Sequence, residues 1–248
     1  MITKNQIQLI QSLQTIKGRK INQLFVAEGK KCIEDLLRSD LELIYLLETE
    51  SIFESTEFSK IIGKTIRIFA SDLKKISSLA VPNNCLGVFA IPKAKQMLEA
   101  GLILALDNIQ DPGNLGTIIR LCDWFGVQQL ICSTNTVDNY NPKVVQATMG
   151  AIVGVSVVYT DLEKYLLETK LPIFGTLMNG ENIYNSKLPT SAIVVMGNEG
   201  NGISENIENR IKNRISIPSF NTNLYAESLN VATATAVVLS EFRRRLDF

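Results

Sequence analysis

A chain of 248 residues, 46% hydrophobic and 20% charged, can bury a core without metals or disulfides, which excludes a disordered or fibrous protein. It contains no histidine, so imidazole-dependent catalysis, including serine and cysteine triads, is excluded. Its 25 basic and 25 acidic residues cancel, but residues 1–95 hold 14 against 10 and residues 96–248 hold 11 against 15. That split of +4 and −4 suggests a polyanion-binding module at the N-terminal end, against the commoner reading of a solvated face.

Cys32, Cys85, Cys122 and Cys132 form no CxxC pair, so no metal site is expected and the thiols read as buried and reduced. No apolar run reaches the ~18 residues of a membrane span, and the N-terminus lacks the apolar core of a signal peptide. The expectation is a cytoplasmic protein with no membrane partner.

Taken in chain order, Ile7, Ile10, Leu13 and Ile16 stand at helical spacing and predict an amphipathic helix over 5–16. A basic turn follows (Lys17, Gly18, Arg19, Lys20), then a strand over 24–27. A helix over 30–38 starts with Lys30 and Lys31 and buries Ile33, Leu36 and Leu37. Strands over 43–47, 66–70 and 86–91 complete a small α/β unit. Lysines 17, 20, 30 and 31, with Arg19, form the basic cluster of this part. The polar stretch 92–96 reads as a linker, giving domains at 1–95 and 96–248.

Beyond it, apolar runs at 102–106, 129–132, 153–159, 173–177, 192–196 and 214–217 suit parallel strands covered on both faces. Helical segments near 115–125, 142–150, 161–169 and 204–213 alternate with them, which predicts a doubly wound α/β domain. A last helix over 228–246 is apolar almost all round, with Leu229, Val231, Ala232, Val237, Val238, Leu239 and Phe242. Such a helix needs cover on more than one side, and a twofold partner would supply it.

Three loops follow strands of this second domain, where open α/β sheets bind ligands. In the first, Asp111, Pro112 and Gly113 make a turn, Asn114 reads as a cap, and Arg120 lies further along the helix; either could instead be functional. The second runs from Met196 through Gly197, Asn198, Glu199, Gly200 and Asn201 to Gly202. Its glycine order is neither GxGxxG nor a P-loop, and Glu199 reads equally as a helix-capping acid or a catalytic carboxylate. The third carries Ile217 and Pro218, then Ser228 as an N-cap and Asn230 inside the apolar helix, where an amide needs partners.

Taken together these residues resemble the SpoU/TrmH family of RNA 2′-O-ribose methyltransferases, in the SPOUT superfamily. The resemblance runs from about residue 15 to the end. Its first motif matches Asn114, Gly116 and Arg120, its second the 196–202 loop, and its third Ile217-Pro218 with Ser228-Leu229-Asn230-Val231. Lys143-Val144-Val145 with Met149-Gly150-Ala151, and Phe25 with Glu28-Gly29, resemble further family segments. The chain departs from the family in a glycine-free loop over 219–225.

The resemblance implies S-adenosylmethionine as methyl donor, a deep trefoil knot, a homodimer through the C-terminal domain, and an N-terminal ribosomal-protein-like RNA-binding domain. It places the donor against Thr176, Leu177, Gly197, Ile217 and Leu229. It makes Arg120 the catalytic residue, with Asn114, Glu199, Ser228 and Asn230 organising the pocket. The implied substrate is structured RNA, ribosomal RNA ahead of transfer RNA. A catalytically silent RNA-binding protein and an unrelated nucleotide-binding enzyme are the alternatives.

Overall fold

Thr3 opens the first helix with a reciprocal cap: its hydroxyl accepts from Gln6 N at 3.3 Å, and its own N–H donates to Gln6 Oε1 at 2.9 Å. The computed structural model describes residues 2–93, 96–221 and 228–245. Helix α1 (Lys4–Ser12) stops before Leu13, and Thr15 caps a second helix, α2 (Ile16–Asn22), where one helix and a basic turn are predicted. Gly18 is the reason the two can adjoin, because a Cβ there would strike the backbone of Ser12.

Strand β1 (Leu24–Glu28), helix α3 (Lys30–Arg38) and strand β2 (Leu43–Glu48) follow the predicted pattern. The strand predicted over 66–70 is only β3 (Thr65–Arg67). Ala70 instead opens α4 (Ala70–Ile76), whose Leu73 and Ile76 join a core cluster with Ile10 and Leu13. Strand β4 (Cys85–Ala90) sits between β1 and β2, antiparallel to both, and β3 runs parallel beside β2.

The chain divides into two compact units, Met1–Lys93 with Asp138–Val153, and Ala94–Val137 with Gly154–Phe248. In the second, β5 (Leu102–Leu106), α5 (Pro112–Trp124) and β6 (Gln129–Ser133) come first. The chain then contributes α6 (Pro142–Thr148) to the first unit, where Val145 and Ile152 lie in the core around Phe25. The Tyr140 ring packs against Phe25 at 4.7 Å between centroids.

Strand β7 (Ser156–Thr160), α7 (Leu162–Glu168), β8 (Ile173–Asn182) and β9 (Ala192–Met196) return to the second unit. The helix predicted over 204–213 is the single turn α8 (Glu205–Glu208), followed by β10 (Asn213–Ser216). Last comes α9 (Val231–Arg244). All six strands are parallel, in the order β10-β8-β9-β5-β6-β7.

Alternation along the strands separates two faces. Ile103, Ala105, Ile193 and Val195 pack with Leu162, Leu166 and Ile207 of α7 and α8. On the other face α9 packs on α5, and Phe242 of α9 meets Phe174 of β8 edge-on at 5.5 Å. Helices on both faces of a parallel sheet make the unit doubly wound.

Helix α9 also differs from its prediction. It begins at Val231, so Asn230 is its N-cap rather than an interior residue. Ser228 is exposed and does not cap it. No helix among the described residues is long and apolar enough to cross a membrane.

Candidate active site

The strand order reverses between β5 and β9, neighbours whose carboxyl ends lead outward in opposite directions. Such a switch point opens a crevice in which α/β sheets hold ligands. Two loops meet there, one after β5 and one after β9.

Asp111 caps α5 by accepting from Asn114 N at 2.8 Å, which leaves the Asn114 side chain free to point elsewhere. Its amide donates to Glu199 Oε1 at 2.5 Å, and its carbonyl accepts from Asn230 Nδ2 at 2.9 Å. Asn230 Oδ1 in turn accepts from Ala232 N and Thr233 N and so caps α9. Three predicted residues, separated by up to 116 positions in sequence, therefore form one hydrogen-bonded chain. Glu199 is not a helix cap: Ser204 holds that place for α8.

Arg120 lies six residues beyond Asn114 on α5, about 9 Å along the axis. It is exposed and has no hydrogen bond or ion pair among the described residues. The structure thus leaves its guanidinium available, and joins it to no other predicted residue. Ser228 likewise makes no hydrogen bond to the Asn114 chain among the described residues.

The β9 loop is held by Asp107, Asn108 and Asn198, loop residues to which the sequence alone assigns no role. Asp107, only 5% exposed, accepts from both Ser204 N and Ser204 Oγ at 2.7 Å. Asn108 takes a left-handed conformation (φ 59°), receives Asn198 Nδ2 on its carbonyl at 2.8 Å, and donates its N–H to Ser133 Oγ at 2.8 Å. Asn198 Oδ1 accepts from Gly200 N and Asn201 N, closing the turn that carries Glu199. The available signal was a polar pair directly after an uninterrupted apolar strand, which must bury at least one side chain with partners. No metal-holding cluster exists among the described residues.

The residues predicted to hold a donor lie within β8 and on the loops after β9 and β10, three adjacent strands. Strand β8 pairs with β10 through Gly175 and resumes at Glu181, so residues 176–180 have no ladder partner on either side. Thr176 Oγ1 donates back to Val195 O at 3.2 Å, Leu177 is half-buried and Met178 is 79% exposed. Ile217 is half-buried just after β10, and Leu229 is 50% exposed. Apolar side chains beside backbone without ladder partners suit an adenosine, whose faces are apolar and whose edges need donors and acceptors. At Gly197 a Cβ would strike the backbone of Gly202 and Ile203, so its smallness also lets the loop close on itself. Part of the 219–225 loop, residues 222–225, lies outside the described residues.

Of the basic cluster, Lys17, Lys20, Lys30 and Lys31 are exposed, and their ammonium groups make no hydrogen bond or ion pair among the described residues. Arg19 is not part of that surface. It is 2% exposed, pairs with Asp138 at 2.7 Å and donates to Leu13 O at 2.7 Å, which makes it a core residue of the first unit.

Comparison with known proteins meets this geometry at the same segments. Residues 101–240 match the SpoU rRNA Methylase family, and residues 4–87 match the MRM3-like substrate binding domain. The chain is 32% identical over 219 residues to the 23S rRNA (guanosine-2′-O-)-methyltransferase RlmB of Neisseria meningitidis, covering 82% of this chain and 86% of that one. A TrmH-family RNA methyltransferase structure from Porphyromonas gingivalis superposes with a TM-score of 0.89 at 36% identity, over 99% of this chain and 100% of that one. The AdoMet-bound rRNA methyltransferase from Sinorhizobium meliloti does so with a TM-score of 0.85 at 25% identity, over 100% and 97%. With its switch-point residues and more than half its length inside the matched segment, this chain belongs to the SpoU rRNA methylase family.

Proposed function

We propose that this chain transfers the methyl group of S-adenosylmethionine to a ribose 2′-hydroxyl of ribosomal RNA. The observation that carries the reading is the Asn230–Asn114–Glu199 chain at the sheet's switch point, with an unpartnered arginine further along the same helix. Two of the relatives named above, from Neisseria meningitidis and Sinorhizobium meliloti, are named rRNA methyltransferases, and the second was solved with AdoMet bound.

The donor supplies a methyl carbon already activated by its sulfonium, so the protein's task is alignment and charge management. Loop 176–180, with Gly197, Ile217 and Leu229, would hold it through backbone groups and apolar contacts. Glu199 anchors Asn114, and the bond from Asn230 ties the first turn of α5 to the cap of α9. Arg120 would hold the ribose oxygen and its neighbouring phosphate, and would stabilise negative charge developing on that oxygen. A guanidinium is a permanent cation, so this role suits it better than that of a base. Aligning the two reactants in a site shielded from water supplies much of the acceleration.

Selection of the RNA falls to the first unit, through Lys17, Lys20, Lys30 and Lys31 reading phosphate and shape. The second unit forms the homodimer and carries the knot expected of the family. Half-buried Ala236 and Val237 on α9, and Trp124 at 84% exposure on the adjoining α5, supply apolar surface for a twofold partner.

The test combines purified protein, methyl-labelled donor and RNA from cells lacking the gene, with ribose methylation mapped afterwards. A new 2′-O-methyl group in ribosomal RNA is the expected result. Label on a base, or on no RNA, would overturn the reaction; label on transfer RNA alone would overturn the substrate.

A further inference from the structure

We infer that Arg243, near the C-terminal end of α9, is a positioning residue for methyl transfer, acting through α5 rather than on the RNA or the donor. This rests on the assignment of Arg120 above. The last carbonyls of a helix lack intrahelical donors, and just past α5 one arginine serves the carbonyl of its C-cap, Phe125, and that of Gly126. Arg243 Nε donates to Phe125 O at 2.6 Å and Nη2 to Gly126 O at 2.8 Å. The fork of a guanidinium can hold two acceptors in fixed geometry, which an ammonium cannot.

Its neighbours do different work. Among the described residues Arg244 binds only Glu241 of its own helix, and Arg245 binds Glu241 together with Ile183 O and Tyr184 O. Of these three arginines, among the described residues only Arg243 reaches the end of α5. At the opposite end of the same helix pair, Asn230 donates to Asn114. The two helices are therefore pinned to each other at both ends, with Arg120 between the pins. It stands six residues after Asn114 and five before Phe125, about 9 Å and about 7.5 Å along the axis. Releasing the far pin lets α5 shift or rotate against α9, and the free guanidinium of Arg120 moves with it. Among the described residues no hydrogen bond or ion pair holds that side chain in place.

The experiment uses the full-length protein with Arg243→Met, Arg243→Lys and, as control, Arg244→Met, which removes the same charge from the same segment. At saturating donor and RNA, Arg243→Met should lower kcat roughly 10- to 100-fold, since misplacement by about an ångström has that effect. Donor affinity by calorimetry should stay within about twofold, because the donor-holding loops are untouched. Arg243→Lys should fall between parent and Arg243→Met, and Arg244→Met should match the parent.

Trp124, the single tryptophan of the chain, lies one residue before a carbonyl that Arg243 binds, so its emission anisotropy reads the pin independently of activity. It should drop in Arg243→Met and not in Arg244→Met. Parental kcat in a folded Arg243 variant, unchanged Trp124 anisotropy, or an equal loss in Arg244→Met would each overturn the inference. If Arg243→Met does not fold, Arg243→Lys decides by the same criteria. A parent that methylates no RNA refutes the proposed function instead, and the anisotropy comparison still decides the pin.

Discussion

Arg19 offers a sharp separation between binding and folding, because sequence places it in the basic cluster and the structure places it in the core. Replacing it with alanine removes both guanidinium contacts to Asp138 Oδ2 and the bond to Leu13 O. Breaking a buried ion pair from one side costs about 3–5 kcal/mol, because the remaining charge is left uncompensated. Asp138 is not wholly enclosed: its side chain is 19% exposed, and Oδ1 keeps its bond from Tyr140 N at 3.1 Å. Partial hydration should therefore reduce the cost to about 2–3 kcal/mol. For a chain of this size each kcal/mol lowers Tm by about 2–4 °C, which gives a shift of about 4–12 °C. Differential scanning calorimetry on Arg19→Ala, Asp138→Asn and the pair would measure it. The double variant should lose less than the sum of the single losses, since the second change removes the stranded charge. RNA affinity, measured on folded protein below the transition, should stay at the parental level. Unchanged Tm together with weakened RNA binding would refute the core assignment.

Asn230→Ala removes the α9 cap and the bond to Asn114 together, so about 1–2 kcal/mol of stability should go with it; a loss of kcat at saturating donor should accompany it, and full activity would remove Asn230 from the site. Burial pushes all four thiols up, Cys32 to about 12 and Cys85 to about 11, so a thiolate-specific reagent should label none until the chain unfolds. The hydrogen bond from Arg244, with help from Arg245, holds the Glu241 carboxyl below its usual range. A depressed acid contributes stability above its unfolded value and loses it as pH falls through the folded one. Thermal stability should therefore fall below the ordinary carboxylate range, less steeply in Glu241→Gln; identical profiles would show that this cluster contributes nothing.

What could be read in advance follows the range over which each signal acts. Parallel strands came out within a residue or two at 102–106 and 192–196, because a strand buried on both faces must be apolar throughout. Helix α4 was missed because 66–70 is apolar enough for a strand, while the burial of Leu73 and Ile76 against α1 is a tertiary fact. The detour of residues 138–153 into the first unit has the same origin. Its strongest ties are Arg19 to Asp138 and Phe25 to Tyr140, pairs more than a hundred positions apart with no local pattern.

The boundary of α9 shows where local reading and site coincide. Leu229 and Val231 flank Asn230 and suggest an unbroken apolar helix from 228, and helix propensity alone cannot place the first turn. The structure places it by hydrogen bonds: Asn230 Oδ1 accepts from Ala232 N and Thr233 N, while Nδ2 reaches Asn114. An amide can do both because its oxygen accepts and its nitrogen donates. Aspartate would cap as well but would present no donor to the Asn114 carbonyl, and serine is too short to do both. The choice of amide at this position thus follows from two demands on one side chain, starting the helix and completing the chain to Glu199, and neither demand is visible until the two helices are side by side.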